Sequence, residues 1–209
     1  MRRTGEWARR ALPLLALVVC LAGCTTSSSS GLRTGNPLRY LITVDQLVAP
    51  NFTVSSTAAL VDASALAGGD TITAAALSHD GLQSAARVEF QRAEDFTIAN
   101  GPIDIVATVE QLAADAGASS AYSADVQQLD HRSGATPIST GPLGDEAHAI
   151  SVVKTTPGGL SAVEITIEWR VGNLVNIIVA RGRYGGTRLD DVLVLANRQT
   201  ANEVDVSGA

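Results

Sequence analysis

The sequence predicts an α+β domain, in which a mainly antiparallel sheet of about five strands has helices packed on one face and a C-terminal helix completes the chain. The clearest observation is the strict alternation of apolar and polar residues over 163–171, which is typical of a half-buried strand. Gly172-Asn173 and the nearly continuous apolar run 174–180 then predict a hairpin partner for that strand. Ala-rich segments elsewhere favour helices.

Two short helices are predicted near the start of the domain. Residues 57–66 and 71–77 are rich in alanine, the residue with the highest helix propensity. Gly68-Gly69 separates the two segments, and Thr57 and Asp70 are suitable N-cap residues. The interpretation of this region is therefore a pair of helices joined by a glycine turn.

The middle of the chain is predicted to add two strands, a helix and a third strand. Residues 87–92 and 103–109 have the composition and apolar alternation of strands. Residues 113–129 are Ala-rich with apolar side chains near helical spacing, so a helix is predicted over most of this range. The residues 133–144, rich in Gly, Pro, Ser and Thr, are predicted to form a loop, and 147–154 a strand.

The C-terminal hairpin allows two registers. A two-residue loop would pair Val171 with Leu174, whereas a three-residue loop would pair Val171 with Val175. After the hairpin, residues 187–190 match a helix-capping pattern. The final helix is predicted from an apolar stripe, formed by Leu189, Val192, Leu193 and Ala196.

The N-terminus has the features of an export signal in the expected order. Four arginines and one glutamate lie before residue 11, and residues 11–22 are almost entirely apolar. This run is shorter than the roughly 20 residues that a membrane-spanning helix needs, so residues 1–23 are interpreted as a signal peptide. At its end, Leu21-Ala22-Gly23-Cys24 resembles the lipobox of bacterial lipoproteins.

The lipobox resemblance implies that Cys24 carries a diacylglyceryl lipid on its thiol and becomes the mature N-terminus. Residues 24–31 would then form a Ser-rich tether, and residues 32–209 a single domain. The anchor would hold the domain on the extracytoplasmic face of the cell membrane or of an outer envelope membrane. The membrane is thus a predicted partner, because two acyl chains are enough for stable anchoring.

Charge and cysteine content narrow the class of protein. Loss of residues 1–23 would change the formal net charge from −6 to −9, which disfavours nucleic acid as a partner. Cys20 lies in the predicted signal peptide, so the mature domain would have no internal disulfide. Hydrophobic residues make up 45% of the chain and aromatic residues only 4%, so aliphatic side chains are expected to fill the core.

The most suggestive binding segment is 181–188, where three arginines and three glycines precede a predicted helix. Backbone N–H groups at a helix N-terminus, together with guanidinium groups, can bind a phosphate or a carboxylate. The candidate ligand-binding residues are Arg181, Arg183 and Arg188. The alternative, which we favour, is a flexible strand-to-helix connection whose arginines neutralise nearby acidic residues.

The sequence predicts no catalytic residue, metal site or cofactor. His79, His131 and His148 do not have the spacing of metal ligands on one helix or strand. Asp145, Glu146 and His148 place carboxylates near an imidazole, as general acid–base chemistry requires, but the favoured interpretation is a solvated loop end. No serine lies in a Gly-x-Ser-x-Gly elbow.

The order of the predicted elements resembles that of extracytoplasmic sensor-type lipoprotein domains, including the outer domains of some bacterial receptor kinases. The Gly144-Asp145-Glu146-Ala147 loop between the helix and the last three strands is part of this pattern. A PsbP-like α+β sandwich is a related alternative. The resemblance implies a non-enzymatic domain that binds or senses an unknown envelope protein or small ligand, and a lipid-anchored hydrolase is the second hypothesis.

Overall fold

A computed structural model describes residues 32–155 and 157–207, so the predicted signal peptide, Cys24 and the tether lie outside the described residues. Within this part of the chain, the strands are β1 (Phe52–Val61), β2 (Leu82–Arg92), β3 (Pro102–Leu112), β4 (Ala135–Ile138), β5 (Glu146–Thr155), β6 (Ser161–Val171) and β7 (Leu174–Arg183). The helices are α1 (Ala63–Leu66), α2 (Thr71–His79), α3 (Asp115–Asp130) and α4 (Leu189–Ser207). Two short 3₁₀ turns precede β1, at Pro37–Arg39 and Val44–Gln46.

The strands form one seven-stranded sheet in the order β1-β2-β3-β7-β6-β5-β4. Every pairing between neighbours is antiparallel. The prediction of about five strands is therefore wrong, because the sheet is larger. The two strands that the sequence did not reveal, β1 and β4, are the two edges of the sheet.

The first edge strand replaces part of a predicted helix. Residues 57–61 belong to β1 and pair with β2, whereas helix α1 is confined to Ala63–Leu66. Only Phe52 of β1 is buried, so this strand lacks the apolar alternation that identifies a half-buried strand. Pairing with β2 outweighs the helix propensity of the alanines, as tertiary context often does.

The second edge strand lies inside the predicted loop 133–144. Residues Ala135–Ile138 pair with β5, in the register Ala135 to Val152 and Ile138 to Ala149. This strand is short, contains Pro137 and has no buried residue. Short strands that contain proline are typical of sheet edges, where one backbone N–H is not needed.

On one face, the sheet packs against the C-terminal helix. Val192 and Leu195 of α4 share the main apolar core with Trp169 of β6 and Ile178 of β7, and all four are fully buried. The indole N–H of Trp169 donates a hydrogen bond of 3.0 Å to the hydroxyl of Thr200 on α4. This contact ties the helix to the centre of the sheet.

The opposite face of the sheet is also covered by helices, so the prediction of helices on one face is wrong. A second apolar cluster joins Leu77 of α2 and Ala121 of α3 to Leu112 of β3 and Val175 of β7. Successive side chains of a strand point to opposite faces, so the almost continuous apolar run in β7 is buried on both sides. The sheet is therefore the middle layer of three, with α4 on one side and α2 and α3 on the other.

The β6–β7 hairpin has the tighter of the two registers that the sequence allowed. Val171 pairs with Leu174 across a two-residue turn. Gly172 opens this turn with φ +58, a backbone conformation that glycine adopts without strain. The buried side chain of Asn173 donates to the carbonyl of Leu112 at 2.7 Å and thereby fixes the turn against β3.

Candidate functional site

A cavity of about 460 Å³ lies between the sheet and the helices α1, α2 and α3. Its volume falls in the range of small-molecule sites. Strands β3, β6 and β7 supply the floor, and the three helices supply the walls. The polar groups that line the floor are Glu110, Thr166 and Glu168, and the apolar lining includes Leu66, Leu77, Leu129, Ile177 and Val179.

Strand register brings the floor residues together. Glu168 of β6 lies directly opposite Ile177 of β7, and Thr166 lies opposite Val179. Glu110 of β3 is on the other side of β7, opposite Val175. Directly paired residues project to the same face of a sheet, so the two glutamates flank an apolar strip contributed by β7.

Helix α3 carries the polar wall of the cavity. Asp125 and Gln128 are three residues apart and lie on one side of the helix, and Arg132 follows the C-cap residue His131. Gly117 allows the start of α3 to approach the end of α2, because a Cβ atom at this position would lie 2.0 Å from the carbonyl oxygen of Asp80. A glycine is therefore required where the two helices meet beside the cavity.

The polar floor is buried and partly without hydrogen bonds. Glu110 is 3% exposed, Thr166 2% and Glu168 1%. Within the described residues, Oε2 of Glu110, Oγ1 of Thr166 and Oε1 of Glu168 have no hydrogen-bond partner. Buried polar atoms are normally paired, and each exception calls for an explanation. A ligand that occupies the cavity would supply the missing partners.

Burial changes the proton affinity of the carboxyl groups at the cavity. Desolvation raises the pKa of Glu110 to about 8, and the nearby Asp125 adds to this effect. Desolvation also raises the pKa of Glu168 well above its ordinary value, with contributions from Asp125 and Glu110. The pKa of Asp125 is raised to about 6 by burial and by Asp80. Strongly perturbed carboxyl groups in a cavity are typical of a functional site.

Arg132 of the cavity lining and Arg170 of β6 are paired with other acidic residues. Arg132, which lines the cavity, forms its ion pair with Glu164 on β6. Arg170 interacts with Glu146 at 3.0 Å and with Asp145 at 3.4 Å. Among the described residues, no ion pair reaches the carboxyl group of Glu110, Asp125 or Glu168.

Asp70, which also lines the cavity, has a structural role. The pKa of its carboxyl group is lowered, mainly by its hydrogen bond from Thr73. Asp70 is the N-cap of α2 and accepts from the backbone N–H groups of Ile72 and Thr73 and from the Thr73 hydroxyl at 2.6 Å. Its oxygens are occupied in stabilising the helix. Across residues 32–155 and 157–207, no group of three His, Cys, Asp or Glu could hold a metal ion.

The three arginines of the predicted anion site have separate partners. Arg181 on β7 pairs with Glu164 at 2.7 Å and with Asp104 at 2.8 Å. Arg183 donates to the carbonyl of Ala99 at 3.2 Å. Arg188 is 67% exposed and lies 3.7 Å from Asp191 on the first turn of α4. Anion binding by these residues stays a prediction.

The residues that the sequence grouped at the loop before β5 are also separated. Asp145 and Glu146 both face Arg170, and Asp145 accepts from the backbone N–H of Gly172 at 2.7 Å. His148 instead pairs with Asp130 of α3 at 2.9 Å. These contacts join β5 to β6 and to α3, and they involve side chains outside the cavity lining.

The sequence did not reveal the cavity carboxyls. Glu168 and Thr166 belong to the polar half of an alternating strand, and such residues normally face solvent. Glu110 lies just beyond the end of the predicted strand 103–109. A signal was available in the neighbouring run 174–180, because a strand that is apolar on both faces requires a second covering layer.

Comparison with family models gives no match, and no curated protein matches the chain. Among solved structures, the fold is similar to the extracellular domain of PknH from Mycobacterium tuberculosis, with a TM-score of 0.50 and 10% sequence identity. The similarity covers 84% of this chain and all of that one. At this identity the likeness concerns the fold alone.

This neighbour agrees with part of the predicted resemblance. The sequence resembled extracytoplasmic sensor-type domains, and the chain shares its fold with a domain that is extracellular. The PsbP-like alternative and the lipobox stay predictions. Within the part of the chain that the structure describes, each helix is too short or too polar to cross a membrane.

Proposed function

We propose that this chain is a lipid-anchored, extracytoplasmic domain that binds a small ligand in the cavity between the sheet and helices α1–α3. The observation that carries the proposal is the floor of that cavity, where three buried side chains, Glu110, Thr166 and Glu168, have polar atoms without hydrogen-bond partners. A buried donor or acceptor left unsatisfied costs about 1–3 kcal/mol. A ligand bound in the cavity would supply the missing hydrogen bonds and would thereby remove this cost.

The proposed location is supported by two independent features. The lipobox Leu21-Ala22-Gly23-Cys24 follows a charged and apolar leader and precedes a Ser-rich tether. The fold is similar to that of an extracellular domain. A flexible tether would let the cavity face the extracytoplasmic space while the lipid stays in the membrane.

Filling the cavity should abolish ligand retention. Ala67 follows α1, is half-buried and lines the cavity, so Ala67→Trp would place an indole in the binding volume. We expect wild-type chain purified in detergent to carry a small molecule that is visible by native mass spectrometry, and Ala67→Trp to lack it. Ala65→Trp is the matched control, because Ala65 is exposed on α1 outside the cavity lining. Equal retention by both variants would contradict the proposal.

Removing the predicted acylation site should release the chain from membranes. The Cys24→Ala variant has no thiol to acylate, and we expect it in the soluble fraction, whereas the wild type sediments with membranes. Cys20→Ala is the control, because Cys20 lies in the predicted signal peptide and should be dispensable for anchoring. Fractionation combined with intact-mass measurement checks this result. A Cys24→Ala chain that is still acylated and membrane-bound would show that the lipobox interpretation is wrong.

A further inference from the structure

The cavity presents carboxyl groups to its ligand from two sides of an apolar strip. Glu168 and Glu110 lie on strands that flank β7, and Asp125 lies above them on α3. Resting on the function proposed above, we propose that the ligand is an extended organic amine, whose ammonium groups pair with Glu110 and Glu168 while its carbon chain lies against Ile177 and Val179. Asp125 would face the same ligand from the helical wall.

The charge balance of the cavity favours a cation. Glu110, Asp125 and Glu168 have no ion pair within the described residues, whereas Arg132, the cationic side chain of the lining, is held by Glu164. A cationic ligand would supply the positive charge that the surroundings of these carboxyl groups lack. Burial raises the pKa of Glu110 to about 8, and an ammonium group beside it would restore its ionised form.

The spacing favours an extended molecule over a single ion. Strands β3 and β6 are separated by β7, so their backbones are roughly 10 Å apart. No three acidic or histidine side chains among the described residues are arranged to hold one metal ion. A molecule with two separated ammonium groups can reach both glutamates at once.

The residues that line the cavity favour primary and secondary amines over quaternary ammonium ligands. Quaternary ammonium ligands are recognised by aromatic side chains, and the described lining of the cavity contains no aromatic residue. The unpaired oxygens of Glu110, Thr166 and Glu168 need hydrogen-bond donors. Primary and secondary ammonium groups carry such donors, and a methylene chain matches the leucine, isoleucine and valine side chains around them.

The test uses 1,6-diaminohexane and the uncharged 1,6-hexanediol, two probes with the same carbon chain. Calorimetry on the full chain in detergent should show that the diamine binds one to one and that the diol binds at least about tenfold more weakly. Glu110→Gln and Glu168→Gln should each weaken diamine binding about tenfold to a hundredfold, because each loses a charge-assisted hydrogen bond.

The matched control is Glu89→Gln. Glu89 lies on the same face of the sheet, pairs with Arg87 at 2.8 Å and is outside the cavity lining, so its variant should bind the diamine within twofold of wild type. Thermal unfolding confirms that each variant is folded. Equal binding of diamine and diol, or diamine binding that both cavity variants preserve, would overturn the proposal.

The two experiments distinguish a failure of the amine inference from a failure of the proposed function. If the diamine does not bind, but a co-purifying molecule is present in wild type and lost in Ala67→Trp, then the cavity binds a ligand of another class and the amine inference is wrong. If Ala67→Trp retains the co-purifying molecule and the diamine also binds that variant as it binds wild type, both proposals are wrong.

Discussion

Replacing Trp169 with alanine should lower the free energy of unfolding by about 3–5 kcal/mol, the usual loss when a large aromatic side chain is removed from a packed core. Trp169 is fully buried on β6, in the core that joins the sheet to α4. Its removal would leave a void between these two layers and would also remove the hydrogen bond to Thr200. Denaturant unfolding followed by circular dichroism measures the change.

The variant Trp169→Phe separates the two contributions. Phenylalanine keeps an aromatic ring in the core but cannot donate to Thr200, whose hydroxyl still donates to the carbonyl of Ala196 at 3.0 Å. We expect a smaller loss of about 1–2 kcal/mol. If Trp169→Ala costs less than Trp169→Phe, the side chain is not packed between the sheet and α4.

The hairpin that contains Trp169 was predictable because its determinants are local. Residues 163–171 alternate over a full strand, and Gly172-Asn173 supplies the turn. The sequence left the choice between two turn lengths, and the tertiary contact of Asn173 with Leu112 accompanies the two-residue loop. A contact between residues that are 61 positions apart cannot be read from a local pattern.

The sheet edges could not be predicted from local patterns. Residues 57–61 are almost entirely exposed. They therefore lack the alternation of apolar and polar side chains that marks a strand with one buried face. Their strand conformation depends on pairing with β2, and that pairing has register shifts after Val54 and after Ser56. Strands of this kind are recognised from the partner that they pair with, which is distant in sequence.

The candidate site could not be predicted from local sequence patterns either. The alternation over 163–171 places Glu168 among the polar residues of a half-buried strand, and such residues usually face water. Its burial depends on α2 and α3, which cover this face only after the chain has folded. The sequence shows that Glu168 and Ile177 belong to neighbouring strands, but it does not show that a helical layer encloses both.

Raising the pH from 5 to 8.5 should destabilise the protein, because its buried carboxyl groups bind protons more tightly in the folded state. The pKa of Glu110 rises from its ordinary value of 4.5 to about 8 on burial, and the pKa of Glu203 on α4 is also raised to about 8, mainly by burial. The stabilisation from each group is fully present below about pH 4.5, where both states are protonated. It is lost as the pH rises through about 8, because the unfolded chain releases its proton earlier.

The Glu110→Gln variant isolates one of these groups, since glutamine has nearly the same size and does not ionise. We expect it to be more stable than wild type at pH 8.5 by roughly 2–5 kcal/mol, with a smaller difference at pH 5. The measurement is urea unfolding at both pH values in buffers without amines, so that no cation compensates the carboxylate. Glu89→Gln is the control and should follow the pH dependence of wild type, because Glu89 is part of a half-exposed ion pair with Arg87. If Glu110→Gln loses as much stability as wild type between pH 5 and 8.5, the carboxyl group of Glu110 is not desolvated at the floor of the cavity.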